Sequence, residues 1–394
     1  MTTEPMRRGR SHRSLRRFAF GSVLVSAALA VAPQPGVAAA AEARDLDAER
    51  ARAEELYRSA GALEALPVFE ELLVAYRAAG DPLGEAITLG RLGNCHKHLG
   101  DHERALELLG EALAIERRIG ARLEEGKTLS HLGLVYWEMS RYPEAIDHLE
   151  RAIERGRELD HAVLEGSALN NLSLVYDELG EYERSLEQYR RVLAVYAGSD
   201  FQRGEGDTLG NIGRVHMLLG EYAEALPYLR RALSISERLD LTLEASRDLG
   251  NLAICQQSLG RLDAALESLD RAIALARRAG APLDEAYWLR IEGSVEVERG
   301  RYDRALELYS RALAVYERGE SGRDRMEALI EIAALDRLLG DLARAGERLE
   351  SALAVARRIG ASRGVVESLL GLGELEIARG RPAEAETHLA EATA

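Results

Sequence analysis

From about residue 88 to its end, the chain repeats every 40 residues without a slip in register, and this period limits the fold more than any other feature. Glycine recurs as Gly100, Gly180, Gly220, Gly260, Gly300, Gly340 and Gly380, with Ser140 in the one gap. Five residues further on come Ala105, Ala145, Ser185, Ala225, Ala265, Ala305, Ala345 and Ala385. Eleven residues before each turn stands a leucine: Leu89, Leu129, Leu169, Leu209, Leu249, Leu289, Leu329 and Leu369. A further small or apolar column runs Ala112, Ala152, Val192, Ala232, Ala272, Ala312, Ala352 and Ala392. A fixed period of this length is the signature of a solenoid, whose units bury their apolar faces only by stacking on one another.

Within one unit the apolar residues fall at helical spacing. Leu169, Leu172 and Tyr176 mark a first helix, and Tyr182, Ser185, Leu186, Tyr189 and Val192 mark a second. Gly180 suits the left-handed backbone that ends the first helix. The small residue at position 185 and its equivalents lets two helices cross closely. Each unit therefore reads as a helical hairpin. Composition agrees: 30% of residues are charged and only 5% aromatic, as in long, exposed helices.

The pattern Leu-x-x-Leu-Gly-x-x-Tyr, a glycine turn, then Tyr-x-x-Ala-x-x-x-Tyr/Leu-x-x-Ala resembles the tetratricopeptide repeat, most clearly over residues 168–196. The 40-residue period is similar to the kinesin light chain and LGN/Pins branches. The resemblance covers residues 48–394, with eight clear repeats and a degenerate ninth in front, carried by Ala65, Phe69 and Leu72. It implies an all-α fold, a right-handed α-solenoid superhelix of stacked hairpins. Its first helices would line a concave groove for a peptide or partner protein, and it implies no enzyme activity.

Residues 1–41 are different. Arg7, Arg8, Arg10, Arg13, Arg16 and Arg17 precede an uncharged run from Phe18 to Ala32, and the small-residue stretch Val37–Ala41 follows. Basic, apolar and Ala-x-Ala parts in that order form a secretory signal, and the apolar run is shorter than the ~20 residues of a membrane span. We expect cleavage after Ala41, a short linker at 42–47, and a secreted or periplasmic bacterial product with no membrane span. Cleavage takes the net charge from −15 to −20, which disfavours nucleic acid as a partner.

Motifs for chemistry fail on inspection. Gly120, Gly126, Lys127 and Thr128 imitate a phosphate-binding loop but carry five intervening residues where four are needed, and no strand precedes them. Gly204, Gly206 and Gly210 miss the dinucleotide spacing. Cys95, His96, His98 and His102 could form a soft-metal cluster, but the repeat register places His96 and His102 in columns held elsewhere by tyrosine, and residues 95, 96 and 98 point in different directions. Cys95 and Cys255 lie four repeats apart, too far for a disulfide. Glu292 and Glu296 replace Leu172 and Tyr176 of another repeat; we expect an arginine partner, Arg290 or Arg301, rather than a bound cation. Neither a cofactor nor a metal site is expected.

The five asparagines, Asn94, Asn170, Asn171, Asn211 and Asn251, all fall on first helices, although asparagine is a mediocre helix former. At about 100° per residue they project opposite the packed leucine seam. There, amides could hold the backbone of an extended peptide. Asn171, Asn211 and Asn251 share one column and read as a ladder whose removal would leave folding nearly unchanged. Arg91, Lys97, His131, Asp177, Glu178, Arg214, Arg247 and Arg290 lie nearby. Arg214, Arg247 and Arg290 would favour an acidic or C-terminal carboxylate ligand. These residues suggest an exported, non-enzymatic scaffold. The alternatives are a sensor array ahead of a CHAT-type protease, cyclase or kinase domain, as in similar repeat arrays, or a cytosolic peptide-sensing regulator. Leu369, Leu372 and Leu389 of the last repeat lack a following repeat to cover them, so a homodimer or docked partner is expected there.

Overall fold

The computed structural model describes residues 45–393 apart from 198 and 320. The signal segment read at 1–41 lies outside the described residues. Among those described, there are eighteen α-helices and no strand. They form nine consecutive hairpins: α1 (Leu46–Ala60) with α2 (Ala62–Ala79), α3 (Pro82–His98) with α4 (His102–Ile119), α5 (Arg122–Glu138) with α6 (Tyr142–Glu158), and α7 (Ala162–Glu178) with α8 (Tyr182–Tyr196). The next are α9 (Gln202–Leu218) with α10 (Tyr222–Arg238), α11 (Thr242–Ser258) with α12 (Leu262–Arg278), and α13 (Pro282–Glu298) with α14 (Tyr302–Arg318). The last are α15 (Gly322–Leu338) with α16 (Leu342–Ile359) and α17 (Ser362–Ala378) with α18 (Pro382–Ala392). Each helix packs on its hairpin partner, and each second helix from α2 to α16 packs on the first helix that follows it. This is an all-α solenoid whose ninth hairpin, in front, buries Ala65, Phe69 and Leu72. Helix α1 starts at Leu46, two residues ahead of the boundary at 48 read from the sequence.

The columns do what the spacing requires. The leucines from Leu89 to Leu369 and the small residues from Ala105 to Ala385 are all buried. The Gly in Leu-Gly-x-x-Tyr has a mechanical cause: a Cβ on Gly133 would stand 2.6 Å from Leu149 Cγ on the partner helix. At the turns the chain goes left-handed, and where glycine is missing Ser140 takes φ 58°, at a strain glycine avoids. After α7, Gly180 N donates to Asp177 O and Glu181 N to Tyr176 O, which satisfies the carbonyls left open at the helix end.

Neighbouring hairpins are also tied by a recurring ion pair eight residues long. The arginine near the end of one second helix reaches the glutamate at the start of the next first helix: Arg77 to Glu85 at 2.7 Å, Arg117 to Glu125 at 3.0 Å, Arg157 to Glu165 at 2.6 Å and Arg277 to Glu285 at 2.6 Å. At the same place Glu317 and Arg325 exchange signs and stand 3.7 Å apart. That reversal identifies the pairing as complementary charge rather than a consequence of composition.

A second inter-repeat contact swaps roles in the same way. Thr128 Oγ1 donates to Glu116 Oε1 at 2.9 Å, whereas Ser236 Oγ donates to Asp248 Oδ2 at 2.8 Å, with the carboxyl now on the other helix. Both carboxylates are buried, and burial pushes each pKa up to about 7.

Candidate functional site

The asparagines on the first helices form rungs between consecutive repeats. Asn171 Nδ2 donates to Ser130 Oγ at 3.1 Å, and Asn211 Nδ2 donates to Asn170 Oδ1 at 3.1 Å, both pairs 41 residues apart. Asn251 would continue the series, but its counterpart in the preceding repeat is Gly210, and no side-chain hydrogen bond to Asn251 is found among the described residues. The ladder read from the sequence is therefore a ladder of inter-repeat bonds for two of its members and an available amide for the third. Removing Asn171 or Asn211 would break an inter-repeat bond, which weighs against the expectation that folding would hardly change.

Asn94 is buried, with its Nδ2 3.2 and 3.3 Å from the two ring nitrogens of His131. Burial, then nearby Arg91 and Lys97, lower the His131 pKa to about 3, so the ring is neutral and an unprotonated nitrogen accepts.

The arginines expected to meet an acidic ligand already hold acids from an adjacent repeat. Arg91 pairs with Glu54 at 2.9 Å and Arg214 with Asp177 at 2.6 Å. Arg247 pairs with Asp284 at 2.8 Å, and Arg290 with Glu327 at 3.2 Å and with Glu331. Lys97 is buried against Glu138 at 3.4 Å. An acidic ligand would have to break these pairs. Glu296 lies 3.5 Å from Arg301 as expected, but Glu292 pairs with Arg304 at 3.4 Å, not Arg290, because Arg290 reaches toward α15.

Two other motifs dissolve into structure. Gly120 is the left-handed cap of α4, and Lys127, on α5, lies 2.9 Å from Glu124. His96 pairs with Asp101 at 3.3 Å and His102 with Glu138 at 3.6 Å, and no group of three candidate metal ligands is found among the described residues. Cys95 and Cys255 are buried free thiols, each pushed up to about 11 by desolvation. Among the described residues no helix is long and apolar enough to cross a membrane.

The structure does gather some of the expected residues in one place. A cavity of about 390 Å³ opens between α7, α9 and α11, lined by Asn170, Asn211, Arg214, Arg247 and Asn251 together with Asp207, Glu244 and Asp248. Asn94, Asn171, Arg91, His131 and Arg290 lie outside it. Two small residues make the room, Gly206 and Gly210; Ser130 and Asn170 fill the place of Gly210 in the two preceding repeats. The acids were missed in the sequence, yet a signal was there. Asp248 is the one charged residue in a column that otherwise reads Thr88, Thr128, Ala168, Thr208, Trp288, Ala328 and Ser368.

A tetratricopeptide repeat model matches residues 124–197, 205–278, 249–318 and 324–394, and a second tetratricopeptide repeat model matches residues 88–123. No curated protein matches the chain in sequence. Among solved structures, the apo form of the quorum sensor NprR from B. thuringiensis is 17% identical with a TM-score of 0.62, covering 79% of this chain and 86% of that one. A Rap protein complexed with Competence and Sporulation Factor is 16% identical with a TM-score of 0.52, covering 88% of this chain and 99% of that one. A STAND protein with a tetratricopeptide repeat sensor from Pyrococcus horikoshii is 16% identical with a TM-score of 0.62, covering 77% of this chain but 45% of that one. At these identities the likeness is one of fold.

Proposed function

The chain belongs to the tetratricopeptide repeat family, and from that premise we propose that it is a non-enzymatic scaffold that binds an extended peptide segment against its first helices. The observation that carries the reading is the cavity between α7, α9 and α11. In the preceding repeats the asparagine column is engaged across the repeats, Asn171 with Ser130 and Asn211 with Asn170. Here Gly210 interrupts the rungs and leaves the Asn251 amide free beside Asn170 and Asn211. An amide offers both a donor and an acceptor, the pair that an extended backbone presents. Fold relatives support the class of function: one is a quorum sensor, and another was solved with Competence and Sporulation Factor bound.

Export is the second part of the proposal and rests on residues 1–41 alone. N-terminal sequencing of the product should begin near Glu42 or Arg44, and an intact Met1 in a cytosolic fraction would refute it. A sensor array within a larger signalling protein is a second reading, favoured by the likeness to the STAND protein, whose own repeats are described as a sensor.

The groove is tested by selecting heptapeptides from a random display library on the full chain and mapping them by hydrogen exchange. Protection should fall on α7, α9 and α11 and weaken about tenfold in an Asn211→Ala/Asn251→Ala variant, the scale of one or two lost hydrogen bonds. Protection confined to the second helices would place binding elsewhere and overturn the reading.

A further inference from the structure

We propose that the cavity between α7, α9 and α11 receives a cationic group, the guanidinium or ammonium of an arginine or lysine side chain on the bound peptide, and that Asp248 on its floor is the residue that holds it. The inference rests on the groove reading above and adds the chemistry of the ligand.

The charges around the cavity decide its sign. Its two arginines are already paired, Arg214 with Asp177 and Arg247 with Asp284. Of its three acids, Glu244 is paired with Arg203 at 2.7 Å. That leaves Asp207 at the rim and Asp248 on the floor, neither in an ion pair among the described residues. Asp248 is only 8% exposed. One carboxylate oxygen, Oδ2, accepts from Ser236 Oγ at 2.8 Å. The other, Oδ1, has no hydrogen-bond partner among the described residues and faces the gap above Gly210, where a Cβ would stand 3.5 Å away.

A buried carboxylate without a cation is costly, and proteins ordinarily pair it. The neighbours supply none. Ser236 on α10 is neutral, Asp207 on α9 and Glu244 on its own helix α11 carry the same sign, and all raise or fail to offset the burial effect that dominates the carboxyl's upward shift. The buried carboxylate Glu116 in the N-terminal half likewise forms no ion pair among the described residues, but it does not line this cavity. About 390 Å³ accommodates a guanidinium with the backbone on either side of it. A cation bonded to Oδ1 would complete the carboxylate's hydrogen bonding while Asn170, Asn211 and Asn251 hold the flanking backbone, and charge-assisted bonds of this kind are the strong ones.

The experiment titrates the full chain with five acetylated, amidated heptapeptides that differ only at the central residue: arginine, lysine, citrulline, norleucine or glutamate. The inference requires the arginine and lysine peptides to bind at least tenfold more tightly than the citrulline and norleucine peptides, with the glutamate peptide weakest. It also requires Asp248→Asn to abolish that preference and Gly210→Leu, which fills the approach to Oδ1 while leaving the carboxylate in place, to do the same. An arginine preference that survives Asp248→Asn would overturn it, as would a glutamate peptide that binds as tightly as the arginine one. If all five bind alike and weaken in Asn211→Ala/Asn251→Ala, the groove stands and the cation is wrong. If none protects α7, α9 and α11 from exchange, both readings fall together.

Discussion

The seams joining α2 to α3, α4 to α5 and α6 to α7 are tied by the Arg–Glu pair eight residues long, while those joining α8 to α9 and α10 to α11 are not. At these two seams Ala197 and Ala245 each replace one partner, and the acids left over turn elsewhere: Glu205 accepts from Arg231 at 2.9 Å and Glu237 from Arg271 at 2.6 Å. The cavity lies beside the two untied seams. There the repeats are linked by Arg214–Asp177 and Asn211–Asn170 along the first helices and by Ser236–Asp248 from α10 to α11. Bonds between first helices are not confined to these seams, since Arg91–Glu54 and Asn171–Ser130 cross tied ones. The Arg–Glu tie is therefore an addition to the first-helix links, and where it is missing those links and one buried hydrogen bond join the repeats.

The largest effect is expected at Arg214. Asp177 is buried and also accepts from Tyr189 Oη at 3.2 Å, so Arg214→Ala strands a carboxylate and should cost roughly 2–3 kcal/mol. The double variant Asp177→Asn/Arg214→Ala should recover most of that loss in a urea melt. No recovery would show that Arg214 acts through packing instead.

Protonation compares the two halves directly, because Glu116 serves a tied seam and Asp248 an untied one. For both, the folded-state pKa of about 7 lies above the ordinary carboxylate value. Folding is therefore disfavoured progressively as pH rises from about 4, where the unfolded carboxyl ionises, to 7, where the folded one does. Glu116→Gln and Asp248→Asn should each stabilise by roughly 1–3 kcal/mol at pH 8 and by almost nothing at pH 4. Equal gains at both pH values would remove ionisation as the cause. Only Asp248→Asn should alter peptide preference.

Smaller effects separate the rungs. Asn171→Ala and Asn211→Ala should each cost about 0.5–1.5 kcal/mol through a lost inter-repeat bond, while Asn251→Ala should be neutral or slightly stabilising because alanine is the better helix former. Thermal melts of the three single variants decide this, and a uniform cost across them would contradict the rung geometry.

The smallest expected effect comes from transplanting the tie to an untied seam. Ala197→Arg faces Glu205 at the spacing of the other seams, and a surface pair of this kind should add no more than about 0.5 kcal/mol. Arg157→Ala should remove a similar amount from a tied seam, and both effects should vanish at 1 M salt, where the screening length is about 3 Å. Slower hydrogen exchange at α8 and α9 in the transplanted variant is the readout. No change would mean that Arg231 holds Glu205 too firmly to be displaced.

Much of the fold was legible in the sequence. Leu89 to Leu369, Ala105 to Ala385 and the turn glycines fix helix, turn and partner helix in every unit, because burial of an apolar stripe depends only on spacing within the hairpin. Even the tie was readable in principle, since Glu317 and Arg325 reverse the signs of Arg77 and Glu85 at the same separation. The site was legible only as a list. Asn170, Asn211, Asn251, Arg214 and Arg247 do share a cavity, but a helical wheel cannot say that Asn171 is held by Ser130 or that each arginine already has an acid.

By itself, the sequence determined that this chain is a stack of helical hairpins with a polar face along its first helices. The tertiary structure alone decided which polar groups on that face are engaged and which are free. The partners of Asn171, Asn211 and Arg214 lie 41, 41 and 37 residues away. Those offsets are set by how far each hairpin rotates and slides on the last, not by the period of 40 residues. Side chains a few ångströms apart across that interface either bond or miss, so a small change in stacking, with a glycine at position 210, is enough to turn a rung into an opening.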